Sequence, residues 1–173
     1  MQKDLIILGA GPGGYTAALR AAELGAKVLL VEQDKVGGTC LHRGCIPTKA
    51  LYKNAEVMNT LQKAADFGVE LDSYTLNMTR VQARKKEIVD RLHSGIHLLL
   101  KNQKVQFIQG QGRLIGSNLV RVTEESGNTL DIEAKRILLA TGSKPSLPPI
   151  PGADLPGVMT SDEILNLERI PER

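Results

Sequence analysis

Six residues near the start of the chain, Gly9-Ala10-Gly11-Pro12-Gly13-Gly14, constrain its fold more than any others. The apolar run Asp4 to Leu8 precedes them and reads as a short buried strand. Tyr15 to Leu24, a run of good helix formers rich in alanine, follows them. Gly25 stops that helix as the residue after its C-cap. Ala26 to Glu32 is a second strand, apolar on both faces as a strand inside a parallel sheet must be. The first 32 residues therefore predict one β-α-β unit with a glycine-lined turn at its centre.

Beyond that unit, residues 37–66 lead from Gly37-Gly38 through the chain's two cysteines into a helical stretch that ends at Asp66-Phe67-Gly68. A long helix is predicted over roughly 79–103, with Val81, Ile88, Leu92, Ile96 and Leu99 at helical spacing as its apolar stripe. Arg84, Lys85, Lys86 and Arg91 fall off that stripe and read as its solvated face. From residue 105 the period changes to that of strands, at 105–108, 119–123 and 129–133, with a turn at Glu125-Ser126-Gly127-Asn128. Arg136 to Ala140 reads as a fully buried strand that ends at Thr141-Gly142-Ser143. Six of the eight prolines lie between 145 and 171, a density that marks an extended connector. Ser161 to Leu165 reads as a capped helical turn within it.

With 173 residues, 42% of them hydrophobic, the chain can bury a core of one domain. A net charge of +3, with 3% aromatic residues and no Trp, gives no basic patch and no stacking platform for nucleic acid. No secretory leader precedes the first strand and no apolar stretch approaches a membrane span, so a cytoplasmic protein is expected.

Two features carry chemistry. Gly9-x-Gly11-x-x-Gly14 lies between a strand and a helix, with Glu32 at the end of the next strand. That is the context a dinucleotide site requires: Gly9 makes the turn, Gly11 lets backbone approach a pyrophosphate, and Gly14 lets helix and strand pack closely. The helix N-terminus offers unpaired N–H groups to the phosphates. Glu32 can accept both hydroxyl protons of a ribose.

The second feature is Cys40-Leu41-His42-Arg43-Gly44-Cys45. Five residues apart on an ideal helix, the two Cα atoms would be roughly 8–9 Å from one another, beyond the ~7 Å reach of a disulfide, so a bridge needs a break that Gly44 can supply. A helix start with Lys49 close behind favours thiolate. Redox exchange competes here with three blander readings. The cysteines could be inert core residues, a static bridge, or zinc ligands with His42, although the spacing suits zinc poorly.

The run Gly37-Gly38-Thr39-Cys40-Leu41-His42-Arg43-Gly44-Cys45-Ile46-Pro47-Thr48-Lys49 resembles the active-site signature of the flavin-dependent pyridine nucleotide-disulfide oxidoreductases. With Gly9 to Gly14, Glu32 and Ala140-Thr141-Gly142-Ser143, the resemblance covers the whole chain. Leu41 and Ile46-Pro47 are similar to the branch that oxidises dihydrolipoamide, while His42 replaces the Asn usual there. The resemblance implies an α/β fold: a Rossmann-like FAD-binding domain with a parallel sheet, a β-meander and a long helical excursion. Residues 1–144 would be the first segment of that domain and 145–173 a connector toward an NAD-binding domain.

It also implies FAD as the cofactor, with NAD serving the full-length parent. Cys40 would be the interchange thiol and Cys45 the sulfur beside the flavin. Gly38, Thr39 and Lys49 would line the cofactor, Gly112 would touch the adenine through backbone, and Thr141, Gly142 and Ser143 would form a second contact. The implied partners are a lipoyl-bearing protein of a 2-oxoacid dehydrogenase complex and a second copy in a homodimer. No second glycine fingerprint and no His–Glu base is found, so the 173 residues alone are not expected to complete turnover. Another reductase of the family, of mercuric or glutathione type, remains an alternative, as does a flavin-binding module or inert fragment that needs a partner. His93 and His97, four apart on the long helix, lack the companions of a metal pair, and no metal is expected.

Overall fold

The computed structural model describes residues 2–171. Its strands are β1 (Lys3–Leu8), β2 (Val28–Glu32), β3 (Gln106–Leu114), β4 (Leu119–Glu124) and β5 (Thr129–Leu139); helix α1 (Pro12–Glu23) lies between β1 and β2, helices α2 (Gly38–Arg43), α3 (Cys45–Gln62) and α4 (Met78–Asn102) between β2 and β3, and α5 (Ser161–Ile164) follows β5. A short 3-10 helix spans Ala64–Phe67. The residues divide into two compact units, one from the start to His42 with Arg91–Lys144, the other Arg43–Asp90 with the residues from Pro145.

In the first unit β1 lies between β2 and β5, parallel to both, and β3 adds beyond β2. The far half of β3 then pairs antiparallel with β4, and β4 pairs antiparallel with the first half of β5. The ladder closes as a circuit of five strands because β3 and β5 each serve both layers. Alternation along β1 and β2 divides the core accordingly. Ile7, Val28 and Leu30 pack with Ala18 of α1 and Leu100 of α4 on one face. Ile6, Leu8, Leu29 and Val31 pack on the other face against Val120, Val122 and Ala134 of the meander. The result is a helix layer, a parallel sheet and an antiparallel meander, consistent with the expected Rossmann-like α/β class.

Helix ends follow from local chemistry. After α1, Gly25 takes φ +86°, its N–H reaches the carbonyl of Ala22, and that of Ala26 reaches Ala21, a Schellman closure of the orphan carbonyls. In the second unit α5 has Thr160 as N-cap, with a reciprocal capping box to Glu163.

Four sequence expectations are corrected. The strands expected at 129–133 and 136–140 are one continuous β5, which bends from the meander into the parallel sheet. Its second half is not fully buried: Leu138 and Leu139 are exposed, because among the described residues that half pairs only with β1. On α4 the buried positions are Val81, Lys85, Val89 and Leu100, whereas Leu92 and Leu99 are exposed. Lys85, expected on the wet face, is 8% exposed and donates to the carbonyl of Leu165 (2.7 Å) and to Asn166 Oδ1 (2.9 Å). Burial lowers its pKa from the usual lysine value.

Candidate functional site: a glycine cradle followed by a cysteine pair

The carboxyl ends of β1, β2 and β5 meet at the glycine turn, where the sheet order runs outward in both directions from β1. Ligands of open α/β sheets bind at such a switch point. Gly9 has φ +99°, and a Cβ there would lie 2.2 Å from the Ala140 carbonyl oxygen and 3.1 Å from the Thr141 Cα. Only glycine fits that turn. A Cβ on Gly14 would come 1.8 Å from the Gly9 carbonyl oxygen, so the first turn of α1 can approach β1 only without a side chain. The close approaches at Gly9 and Gly14 are thus to backbone atoms of the turn itself and of the residues just after β5.

Gly11 is the N-cap of α1, Pro12 starts the helix, and no side chain caps it. Pro at this position loses no needed donor. A Cβ on Gly11 would meet nothing nearer than the Gly38 Cα at 4.0 Å, and one on Gly13 would meet nothing within 4 Å. The N-terminus of α1 thus presents backbone N–H groups and partial positive charge with no acidic residue in its first turn, which fits an anionic phosphate group.

Glu32 closes the cradle from the end of β2. Its Oε2 accepts the N–H of Ala10 at 2.6 Å and its Oε1 the N–H of Asp34 at 2.8 Å. The sequence did not suggest this backbone role. A carboxylate has about four lone-pair sites, so two backbone donors leave room for two hydroxyl protons. Gly38, the first residue of α2, approaches with φ +57°, and its Cβ would lie 2.8 Å from the Gly11 Cα. The N–H of Gly37 donates to the Ala10 carbonyl at 2.8 Å. Thus Gly9, Gly11, Gly14, Glu32, Gly38 and Thr141 come together, with Thr39 next in chain and Gly142 and Ser143 following Thr141.

Gly112 lies within β3, opposite Val122, and is not a turn residue. Its Cβ would lie 2.5 Å from Leu8 Cδ2 and 3.4 Å from Val31 Cγ1, so a side chain there would press on the core residues at the ends of β1 and β2.

Cys40 lies on α2 and is half-buried, while Cys45 opens α3 and is exposed. Gly44, at φ −150° and ψ −109°, breaks the helical path between them, the break the spacing calls for. The Thr48 hydroxyl donates to the Gly44 carbonyl at 2.6 Å, fastening the first turn of α3. Cys45 and Lys49 belong to the second unit, and Lys49 is exposed on α3.

All three histidines of the chain gather in the first unit. Imidazole Nε2–H of His42 donates to the Val36 carbonyl at 2.9 Å, and Nδ1–H of His93 donates to the same oxygen at 3.0 Å. His93 packs edge-on against His42 and His97, and His97 against Phe107. Burial pushes His42 below the ordinary histidine value of 6.5, opposed in part by its bond to Val36, and burial also lowers His97. The i, i+4 spacing of His93 and His97 was the visible signal, but the role of Val36 was not. Among the described residues, no group of three or more His, Cys, Asp or Glu side chains is placed to share a metal ion. No helix among them is long and apolar enough to cross a membrane.

A glycine cradle on a parallel sheet, followed in sequence by a C-x-x-x-x-C pair, defines a class, and comparison with known proteins agrees. The chain belongs to the pyridine nucleotide-disulphide oxidoreductase family, whose sequence pattern matches residues 3–173. Among curated relatives it is 44% identical to the dihydrolipoyl dehydrogenase of Bacillus subtilis, over 98% of this chain and 37% of that protein. It is 45% identical to the enzyme of that name in Zymomonas mobilis, over 82% of this chain and 30% of the relative. With the mitochondrial dihydrolipoyl dehydrogenase of Bos taurus it shares 40% identity, over 98% of this chain and 34% of the relative. A solved structure, the Cu(II) complex of the HOCl-induced flavoprotein disulfide reductase RclA from Escherichia coli, superimposes with a TM-score of 0.78 at 32% identity. That match covers 99% of this chain and 36% of RclA. The chain thus spans a little over a third of the length of the Bacillus relative.

Proposed function

We propose that this chain is the FAD-binding, dithiol-bearing part of a dihydrolipoamide dehydrogenase. Residues 1–144 would be the first segment of its flavin domain, and 145–173 the connector to an NAD-binding domain. The junction of Gly11, Glu32 and Gly38 at the strand ends, continuous in sequence with Cys40, carries this reading. Gly9, Gly11 and Gly14 would let the backbone of the α1 N-terminus hold the pyrophosphate, and Glu32 would accept the ribose hydroxyls. Gly38, Thr39, Gly112 and Thr141-Gly142-Ser143 would help hold the cofactor, and Lys49 would supply positive charge to stabilise its reduced form.

Cys40 and Cys45 form the exchangeable pair. A substrate thiolate attacks Cys40 Sγ and the Cys40–Cys45 bond breaks. The substrate's second thiolate then closes its own disulfide, releasing Cys40 and leaving both cysteines reduced. Cys45 would be the sulfur from which a bound flavin takes the electron pair. FAD, when bound, supplies a two-electron acceptor that can deliver those electrons to NAD⁺. The lipoyl group arrives on a protein of a 2-oxoacid dehydrogenase complex, and the full-length protein works as a homodimer.

Peptide mapping of the oxidised chain is expected to find Cys40 linked to Cys45 and the link opened by dihydrolipoamide. Cysteines that stay unlinked after mild oxidation would overturn the reading. The 173 residues alone are expected to form no NADH from dihydrolipoamide and NAD⁺.

A further inference from the structure

We propose that His93 is a positioning residue for the nucleotide cradle: with His42 it grips the Val36 carbonyl and so sets Gly37 and Gly38 against the glycine turn. The inference rests on the flavin-cradle reading for its functional consequence, but its geometry stands apart from any ligand. Val36 is 1% exposed, so its carbonyl needs protein donors. It receives two, from His42 Nε2–H and from His93 Nδ1–H, which occupy both lone pairs and fix both tautomers. One donor comes from α2 and the other from α4, 57 positions beyond Val36 in sequence.

The loop carrying Val36 is the one that docks on the cradle. Gly37 N–H donates to the Ala10 carbonyl at 2.8 Å, and Gly38 N–H donates to the Lys35 carbonyl at 3.1 Å. Gly38 has no free space toward Gly11, since even a Cβ would come within 2.8 Å of the Gly11 Cα. A shift of the Val36 carbonyl therefore moves the residues that face the phosphates. The His93 ring is itself braced by His97, which packs against Phe107 of β3, so the donor is held by the sheet as well as by its own helix.

The test compares three substitutions of His93. Asn can place an amide N–H near the position of Nδ1, Gln reaches one bond further, and Leu fills similar volume with no donor. In the ligand-free chain, hydrogen exchange at the Gly37 amide is expected to rise about fivefold or more in H93L, the worth of one net hydrogen bond. It should stay near wild type in H93N and rise in H93Q. FAD titration, followed by flavin fluorescence, should show the same order, with Kd raised about fivefold in H93L and restored in H93N. Unchanged Gly37 exchange in H93L, or equal effects in H93N and H93L, would overturn the clamp in favour of simple packing. Should H93L fail to fold, the contrast of H93N with H93Q decides in the same way. If wild-type protein binds no FAD, the proposed function fails, while the exchange measurement still decides the role of His93.

Discussion

A single methyl group separates what the cradle tolerates from what it does not. On Gly14 it would overlap the Gly9 carbonyl oxygen at 1.8 Å, a backbone atom that has no side-chain freedom with which to yield. Gly14→Ala is therefore expected to cost about 3 kcal/mol or more in urea unfolding. Gly13, one residue earlier, faces open space. Gly13→Ala should change stability by less than about 1 kcal/mol, in the stabilising direction, because alanine is the better helix former. Equal costs at the two positions would contradict the close helix–strand approach.

The histidines make a second test at this scale. His42 and His97 have folded pKa values below 6.5, chiefly through burial, so the unfolded chain takes up protons first as pH falls. Their contribution is fully present above the unfolded value and is lost as pH drops through that value and the lowered folded ones. The thermal midpoint should fall between about pH 7.5 and about pH 5, and His42→Gln, which keeps a donor for Val36, should make that fall shallower. A slope unchanged in the variant would contradict the assignment.

Among the elements, α4 shows where a pattern reads true and where it misleads. Its existence and ends were legible from helical spacing, but its buried side was not. Leu92 and Leu99 share the apolar character of Val89 and Leu100, and only tertiary packing separates them. Lys85 was invisible for a different reason. Its stem is apolar and its ammonium finds the carbonyl of Leu165 after α5, a contact between positions 80 residues apart. The β5 strand was split in the sequence reading because its period shifts where it passes from the meander into the parallel sheet. The C-terminal end of α4 yields a prediction: Lys104 occupies the left-handed position of a Schellman closure at φ +57°, where glycine is usual. Lys104→Gly should raise stability by about 0.5–1 kcal/mol in thermal unfolding. A loss of stability would mean the Lys104 side chain matters more than its backbone.

Taken whole, the chain announces its first β-α-β unit and its chemistry within the opening 49 residues, because a glycine turn and a cysteine pair are local patterns with few structural solutions. The circuit joining β3, β4 and β5 to the parallel sheet was only partly legible, since it depends on two strands each serving two layers. The backbone role of Glu32 and the histidine grip on Val36 were not legible either, for both join residues distant in sequence. The central claim is that the Gly9–Gly14 turn, Glu32 and Gly38 form a cradle for the ADP half of a flavin dinucleotide. Titrating the chain with FAD and following flavin fluorescence tests it most directly. The account predicts saturable though weak binding that ADP displaces and that Gly11→Val abolishes. Binding that ADP leaves untouched, or that survives Gly11→Val unchanged, would contradict it, as would no saturable binding at all.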